Sequence, residues 1–584
     1  MVPLFSLLLL CYPGVHTAQY DFGLLENTPL LSQLYREDRL IHRELTRLES
    51  EYTSDHLGYY IKQGCSNHSV KQYVSHPVNS YNLIRRAALG VKELLEDLKN
   101  EDTVDSRDII EILRKVLEST KVYKTVTKKD LYGAVKGLLI ISHTYHMDIE
   151  KLRKGIISMN QGSGFEVFKA ESTLGMDDLH VLTETALELG FINTAAKCIR
   201  SAIKAGIEEK ADKAMMRGVL GLKKRVLNMH NSLLTKRKTF LTDEQVTHPY
   251  ILNEEMEKHE KQPKFIKNLK HQEYDLMKMM KYEGDFYDME RMMEGCRSGQ
   301  STAEKSDITC NLVQHSDPYV KLGPFKLEYA SRSPHVVVLH DIMTEEDIQH
   351  FVQFASPRLS RDRGEETDSS YSRREREEGK VKVIYKSVQA WMKTIMFAGD
   401  DREDYTPDNF TIIDRRAEKL SARLEKCLNL NVTGQWSSHQ YQVTNYGIGG
   451  LCETHIDPFG YLEGVDITSR NHLRNTGDYI GTVMGWLQDT PAGGSTTFFK
   501  LNTRVNIWPT RGSAAFWFSL YRDGVRDPAS SHGGCPVAVG SKWILNKWIY
   551  SFNNWNKQPC HPSHTQKFQY QDKVRMTWPD TSYY

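Results

Sequence analysis

All nine tryptophans fall between Trp391 and Trp578, and the first 390 residues contain none. A chain that confines its largest side chain to one end is built from two architectures. The hydrophobic pattern changes at the same place. From about 25 to 245 it has a helical period, and after about 331 it breaks into short β-rich runs.

In the first part, "PLLSQLYREDRLIHRELTRLESEY" sets Leu30, Leu31, Leu34, Leu40, Ile41, Leu45 and Leu48 at spacings of three, four and seven, with charges between. Leucines at heptad-like intervals can build a core or a self-pairing seam. "HPVNSYNLIRRAALGVKELLEDLKN" and "DSRDIIEILRKVLEST" continue in that style. Residues 176–206 read as a helix, a short turn and a second helix, similar to one tetratricopeptide-type hairpin. From about 250 to 330 the period decays into a charged, methionine-rich linker. Beyond it, "HVVVLHDI", "SSHQYQVTNYGIGG", "DYIGTVMGWLQDT", "STTFFKLNTRVNIWP", "GSAAFWFSLY" and "SKWILNKWIYSF" are separated by Gly, Pro, Asn and Asp. Such texture predicts an all-β barrel or jelly roll. The fold class is therefore α+β and multidomain, with a helical half before a jelly roll.

At 584 residues the chain exceeds one core. Its 76 Lys and Arg nearly cancel 75 Asp and Glu, so no global field recruits nucleic acid or an anionic membrane. "VPLFSLLLLCYPGVHTA" reads as an export signal, residues 1–18. No later run approaches the about 20 apolar residues a spanning helix needs. Export would place the chain in an oxidising lumen, where cysteines pair. Cys296 and Cys310, and Cys535 and Cys560, are close enough in sequence for local disulfides. The sequons at Asn67, Asn409 and Asn431 are candidate glycan sites.

Chemistry enters with "YGIGGLCETHIDPFGY", residues 446–461, where His455 and Asp457 follow a glycine-rich turn. Two other His-x-Asp triplets exist. His146/Asp148 lies on a helical pattern and His315/Asp317 in the linker. Only the third stands at the end of a strand. Ferrous iron in oxygenases is held by two His and one carboxylate on one octahedral face, so a second His must come from another strand. His472 falls in a polar loop, and His561 and His564 lie past the last strand. His532 opens a strand, and Lys542 follows ten residues on, past a turn near Gly540. A buried Lys needs an anion; an oxo-acid that chelates iron and ends in a carboxylate would supply it.

"YGIGGLCETHIDP", "TVMGWLQDTPAGGSTTF", "NIWPTRGSAAFWFSL" and "SSHGGCPVAVGSKWILNKW" together resemble the catalytic domain of collagen prolyl 4-hydroxylase α subunits, Fe(II)/2-oxoglutarate dioxygenases with a double-stranded β-helix. "HDIMTEEDI", "PRLSR", "HPVNSYNLIRR" and "ALELG" extend the likeness upstream. The resemblance implies His455, Asp457 and His532 as iron ligands, Lys542 as partner of the distal 2-oxoglutarate carboxylate, and Tyr446 near that cosubstrate. It implies the disulfides Cys296–Cys310 and Cys535–Cys560. It further implies Fe(2+), 2-oxoglutarate, O2 and L-ascorbate, 4-hydroxylation of peptidyl proline in collagen-like chains, and residence in the endoplasmic reticulum lumen. The expected partner is protein disulfide isomerase, in an α2β2 tetramer; the ending "TWPDTSYY" carries no retention signal of its own.

On this reading the domains are a helical dimerisation-type domain at 19–145, a tetratricopeptide-like peptide-binding domain at 146–248, a linker with a disulfide-stapled loop at 249–330, and the dioxygenase at 331–584, its core about 436–552. Departures from the family concentrate around the site. Leu451, Cys452, Glu453 and Thr454 replace Gln-Tyr-Glu-Pro, Pro458 replaces an aromatic, and Tyr550 stands where a His adjoins the cosubstrate. Residues 146–249 contain no tyrosine or tryptophan, so a proline-binding groove there would rest on Phe165, Phe168 and Phe191. The rival expectations are a non-catalytic assembly subunit of the same fold, and a dioxygenase acting on another residue type.

Overall fold

The computed structural model describes residues 24–236, 291–298, 310–361, 387–392, 414–458 and 474–568, with breaks of a few residues inside these ranges. The signal segment, Cys65, Asn67, Asn409, His315, Asp317, His472 and Trp578 lie outside the described residues.

Helix α1 (Thr28–Glu51) starts where the Asn27 side chain accepts the Leu30 N–H at 3.1 Å, which satisfies one otherwise orphaned donor. It buries Leu31, Leu34, Ile41, Leu45 and Leu48. The heptad-like seam thus faces the chain's own core, while Leu30 and Leu40 look outward. Helices α2 (Pro77–Arg85), α3 (Val91–Glu101), α4 (Val104–Ser119) and α5 (Lys128–Thr144) complete the bundle. Arg86 reaches into it to pair with buried Asp38 at 2.6 Å. Helix α5 is buried almost continuously from Gly133 to Ser142, since it packs on α2 and on the next helix pair.

One element breaks the all-helical expectation. Strands β1 (Ile156–Gln161) and β2 (Gly164–Lys169) form an antiparallel hairpin. The "QGSG" turn and the alternation of Ile157, Met159, Phe165 and Val167 carry that signal. Helices α6 (Met176–Glu188) and α7 (Ile192–Glu208) then pack as an antiparallel pair across small residues, including Ala195, Ala196 and Ala202. Helix α8 (Lys213–Lys236) covers α7.

The strand-rich half holds β3 (Cys310–Val313), β4 (Phe325–Arg332), β5 (His335–His340), β6 (Ser360–Arg361), β7 (Val388–Met392), β8 (Tyr441–Tyr446), β9 (Cys452–His455), β10 (Tyr479–Trp486), β11 (Ala492–Gly493), β12 (Thr496–Phe498), β13 (Val505–Ile507), β14 (Ala514–Phe518), β15 (His532–Gly534), β16 (Val537–Val539) and β17 (Lys542–Tyr550). An antiparallel sheet in the order β3-β4-β5-β14-β10-β17-β8-β7-β6 lies against a smaller one, β13-β12-β15-β9. Trp486, Phe498, Trp517 and Ile544 fill the space between them. Helices α9 (Glu345–Ala355) and α10 (Arg415–Leu428) cover the outer face of the large sheet with Ile348, Phe351, Leu420 and Leu424. Facing antiparallel sheets fit a jelly roll. Because β3 and β4 belong to the large sheet, it begins inside the stretch expected to be linker.

The disulfide pairing differs from expectation. Cys296 bonds Cys535, 239 residues away, with their Cα atoms 5.6 Å apart. Cys310, on edge strand β3, and Cys560 are exposed free thiols. The reason is spatial: helical segment 291–297 docks on β15, where Met292 packs over Gly533 and Cys296 meets the strand's continuation. Neither Cys296–Cys310 nor Cys535–Cys560 forms.

The two halves share a core. The apolar cluster of the helices runs on into Ile448, Ala492, Ala538 and Val539 of the barrel. Gly137 of α5 touches Gly449, which has φ +75°, so closely that a Cβ on Gly449 would lie 2.6 Å from the Gly137 Cα. Gly449→Ala is expected to lower stability by roughly 2 kcal/mol or more, through left-handed strain plus collision. Gly434→Ala, with φ +85° and nothing within 4 Å, carries the strain alone. Thermal unfolding of the two variants separates the terms, and equal shifts would contradict the close packing.

Candidate metal centre

Strand β9 ends at His455 and β15 begins at His532, and the register places these residues directly opposite each other. Their ring centroids are 4.3 Å apart. Two residues beyond His455 the chain turns Asp457 back toward both rings. Its Oδ1 is 3.5 Å from His455 Nε2 and its Oδ2 3.9 Å from His532 Nε2. One donor atom from each of the three lies within 4.8 Å of the others, and among the described residues no further cluster of this kind occurs.

The far side of each ring is tied down. His455 Nδ1 donates to the Glu453 carbonyl at 2.8 Å and His532 Nδ1 to the Ser530 carbonyl at 3.0 Å. A carbonyl can only accept, so each Nδ1 carries a proton, and Nε2 is the atom each ring turns toward Asp457, the nitrogen a metal-ligating imidazole would use. Thr482, on β10 of the facing sheet, donates to Asp457 Oδ2 at 2.7 Å. The carboxylate thus bridges the two sheets, and the Thr482 hydroxyl fixes its orientation.

Electrostatics agree with a cation at this point. Burial opposes ionisation of Asp457, but His532, His455 and Thr482 outweigh it and hold the carboxyl well below its usual range. Burial pushes His532 down to about 4, and neighbouring His455 adds to this, so its ring is neutral. Burial also opposes a charge on His455, yet Cys452 and Asp457 together raise it well above the ordinary value. A positive charge between Asp457 and the rings is favoured. Phe498 and Trp517 wall His532 at 5.4 and 4.8 Å and keep the surroundings apolar.

Lys542 opens β17 opposite Tyr446 of β8. It is 3% exposed, and its ammonium donates to Thr496 Oγ1 at 3.1 Å and lies 5.8 Å above the Tyr446 ring. Among the described residues no carboxylate pairs with it, and burial lowers its pKa to about 8. Thr496 pairs in register with Gly534, two residues from His532. A buried ammonium and hydroxyl therefore stand beside the metal-binding trio. Two imidazoles and one carboxylate suit a divalent transition metal with open positions, and the ammonium suits an anion reaching toward it. The residues present fit both groups.

The other candidates separate from this centre. Asp148 caps a short helix, accepting the N–H groups of Glu150 and Lys151. His561 lies on the chain after β17, its Nδ1 accepting from Ser563 N–H. Asn431 uses its side-chain nitrogen on the Asn553 carbonyl. Tyr550 is buried and stacks on Tyr479 at 5.6 Å. With Trp548 and Trp391 it forms an aromatic group at the opposite end of β17 from Lys542. Thr482 pairs in register with Trp548, so this group flanks Asp457 on the side away from the ammonium. Of the three phenylalanines, Phe165 is exposed, Phe168 half-buried, and Phe191 stacked on His143 at 4.2 Å against Ile140 and Leu451. No sequence motif marks Thr482 or Thr496. Their only signal is position on the inward-facing side of strands that flank the site.

Comparison with known proteins meets this geometry. "Prolyl 4-Hydroxylase alpha-subunit, N-terminal region" matches residues 35–159, and "2OG-Fe(II) oxygenase superfamily" matches residues 441–550, which include every residue of the centre. Prolyl 4-hydroxylase subunit alpha-2 of Gallus gallus is 26% identical over 84% of this chain and 84% of its own length. The Caenorhabditis elegans subunit alpha-2 is 27% identical over 90% of this chain and 89% of its own. Subunit alpha-3 of Homo sapiens is 23% identical over 92% of this chain and 93% of its own. These matches run through both halves. The chain is thus similar along both halves to prolyl 4-hydroxylase α subunits, and it is an oxidoreductase of the Fe(II)- and 2-oxoglutarate-dependent, procollagen-proline 4-dioxygenase-like class.

Proposed function

We propose that the chain hydroxylates peptidyl proline to 4-hydroxyproline in procollagen-like or other proline-rich secretory proteins. His455, Asp457 and His532 would hold Fe(2+), and Lys542 with Thr496 and Tyr446 would hold the distal carboxylate of 2-oxoglutarate. The observation that carries this reading is the convergence of the trio within 4.8 Å next to a buried ammonium that pairs with no carboxylate among the described residues. When bound, iron with 2-oxoglutarate and O2 supplies the oxidising power for an unactivated C–H bond, releasing succinate and CO2.

The chain's own part is placement. Thr482 keeps Asp457 turned toward the two Nε2 atoms. Phe498 and Trp517 exclude water from the His532 side. Half-buried Trp391, backed by buried Tyr479, Trp548 and Tyr550, offers a flat ring beyond Asp457, on which a proline ring packs well. The α6–α7 pair would serve as the tetratricopeptide-like module, and Phe165, exposed on the preceding β1–β2 hairpin, is an aromatic available to a peptide there. Export to the endoplasmic reticulum lumen, glycans at Asn67, Asn409 and Asn431, rescue by L-ascorbate and pairing with protein disulfide isomerase in an α2β2 tetramer complete the reading.

The test is mass spectrometry of a proline-rich peptide after turnover. A gain of one oxygen on proline, matched mole for mole by succinate, is expected. Oxygen on lysine or another residue would replace the substrate assignment. Absence of both products from folded, iron-loaded chain would favour the non-catalytic alternative.

A further inference from the structure

Contacts between the helical half and the barrel fall beside the residues of the centre. Thr28 N–H donates to Asn445 Oδ1 at 3.0 Å, next to Tyr446. The Ser75 carbonyl accepts from Gly540 N–H at 2.8 Å, two residues before Lys542. Ile140 and Phe191 pack on Leu451, four residues before His455.

The most specific of these contacts comes from Tyr145, the residue that caps α5. Its hydroxyl donates to the Pro536 carbonyl at 2.5 Å. The same carbonyl accepts the Gly494 N–H at 3.0 Å, and that N–H also faces the phenol oxygen. The ring abuts Gly493, where a Cβ would come within 2.7 Å of the hydroxyl. Both glycines have φ +73°, so the turn has its shape only with glycine there. Gly494 stands two residues before Thr496, and Pro536 four residues after His532. One phenol from the helical half therefore joins the turn entering β12 to the segment leaving β15.

We infer that Tyr145 is a positioning residue for the cosubstrate: it fixes Thr496, and through it the Lys542 ammonium, relative to the strand that carries His532. This rests on the reading of Lys542 and Thr496 as the 2-oxoglutarate end of the centre. The helical half is then part of the active-site scaffold as well as a candidate peptide-binding module.

The experiment measures kcat and the KM values for 2-oxoglutarate and peptide in the full chain, by succinate release. Three variants are compared with wild type: Tyr145→Phe, Lys542→Met, and Tyr132→Phe. Tyr132 lies on the same helix, with its hydroxyl on exposed Glu188 Oε2. Tyr145→Phe is expected to raise the KM for 2-oxoglutarate roughly fivefold, the effect of one lost hydrogen bond. The kcat, the peptide KM and the thermal midpoint should stay near wild type, and Tyr132→Phe should change none of them. An unchanged KM for 2-oxoglutarate in Tyr145→Phe, with a raised one in Lys542→Met, overturns the inference alone. An unchanged KM in Lys542→Met overturns the cosubstrate reading and the inference with it. If Tyr145→Phe lowers all constants together with the thermal midpoint, or fails to fold, Tyr145 is only structural and the inference fails.

Discussion

Asp457→Ala is expected to abolish succinate release and proline hydroxylation together. Asp457 supplies the only carboxylate of the trio, and its two oxygens face both Nε2 atoms at 3.5 and 3.9 Å. Without it, two neutral imidazoles in an apolar wall must hold a divalent cation with no compensating charge. Loss of an outer partner of a metal ligand costs about 10–100-fold, so loss of the ligand should exceed roughly a hundredfold. Thr482→Val removes only the hydroxyl that orients Asp457 and should fall within about 10–100-fold. The order matters: a Thr482 variant worse than the Asp457 variant would mean that the carboxylate serves some other purpose. Neither change should unfold the barrel, whose core lies in Trp486, Phe498, Trp517 and their neighbours.

Lys542→Met should raise the KM for 2-oxoglutarate by about a hundredfold, the order expected when one partner of a buried ion pair is removed. The thioether fills much of the same space, so folding should survive. The ammonium also gives a pH signature. Burial has brought its pKa down to about 8 in the free chain. Below that pH the charged form awaits the carboxylate. Above it the neutral amine prevails, and the KM for 2-oxoglutarate should climb about tenfold per pH unit. A KM flat between pH 7 and 9.5 in wild type, or a climb that persists in Lys542→Met, would contradict the assignment.

Much of the centre was legible because it depends on residue type and strand placement. His455 and Asp457 follow a glycine turn, and Lys542 follows His532 past a turn at Gly540 that sends the chain back toward the same barrel interior. What the residues could not disclose was which distant elements meet. The Cys296–Cys535 bond joins segments 239 residues apart, whereas spacing favoured neighbours. Thr482 and Tyr145 act from other elements, with no local motif to mark them. Tyr550 illustrates the converse: its place in "NKWIY" suggested the cosubstrate, but the register carries it to the aromatic end of β17. The β1–β2 hairpin was masked by helices on either side, though its turn and alternation were present in the residues.

The measurement that bears most directly on the account is anaerobic ferrous binding to the purified full chain in the presence of 2-oxoglutarate. One ferrous ion per wild-type chain is expected, with no binding to His532→Ala and weakened 2-oxoglutarate uptake in Lys542→Met. Undiminished stoichiometric binding by His532→Ala would contradict it, because the ion would then be held somewhere other than between His455, Asp457 and His532.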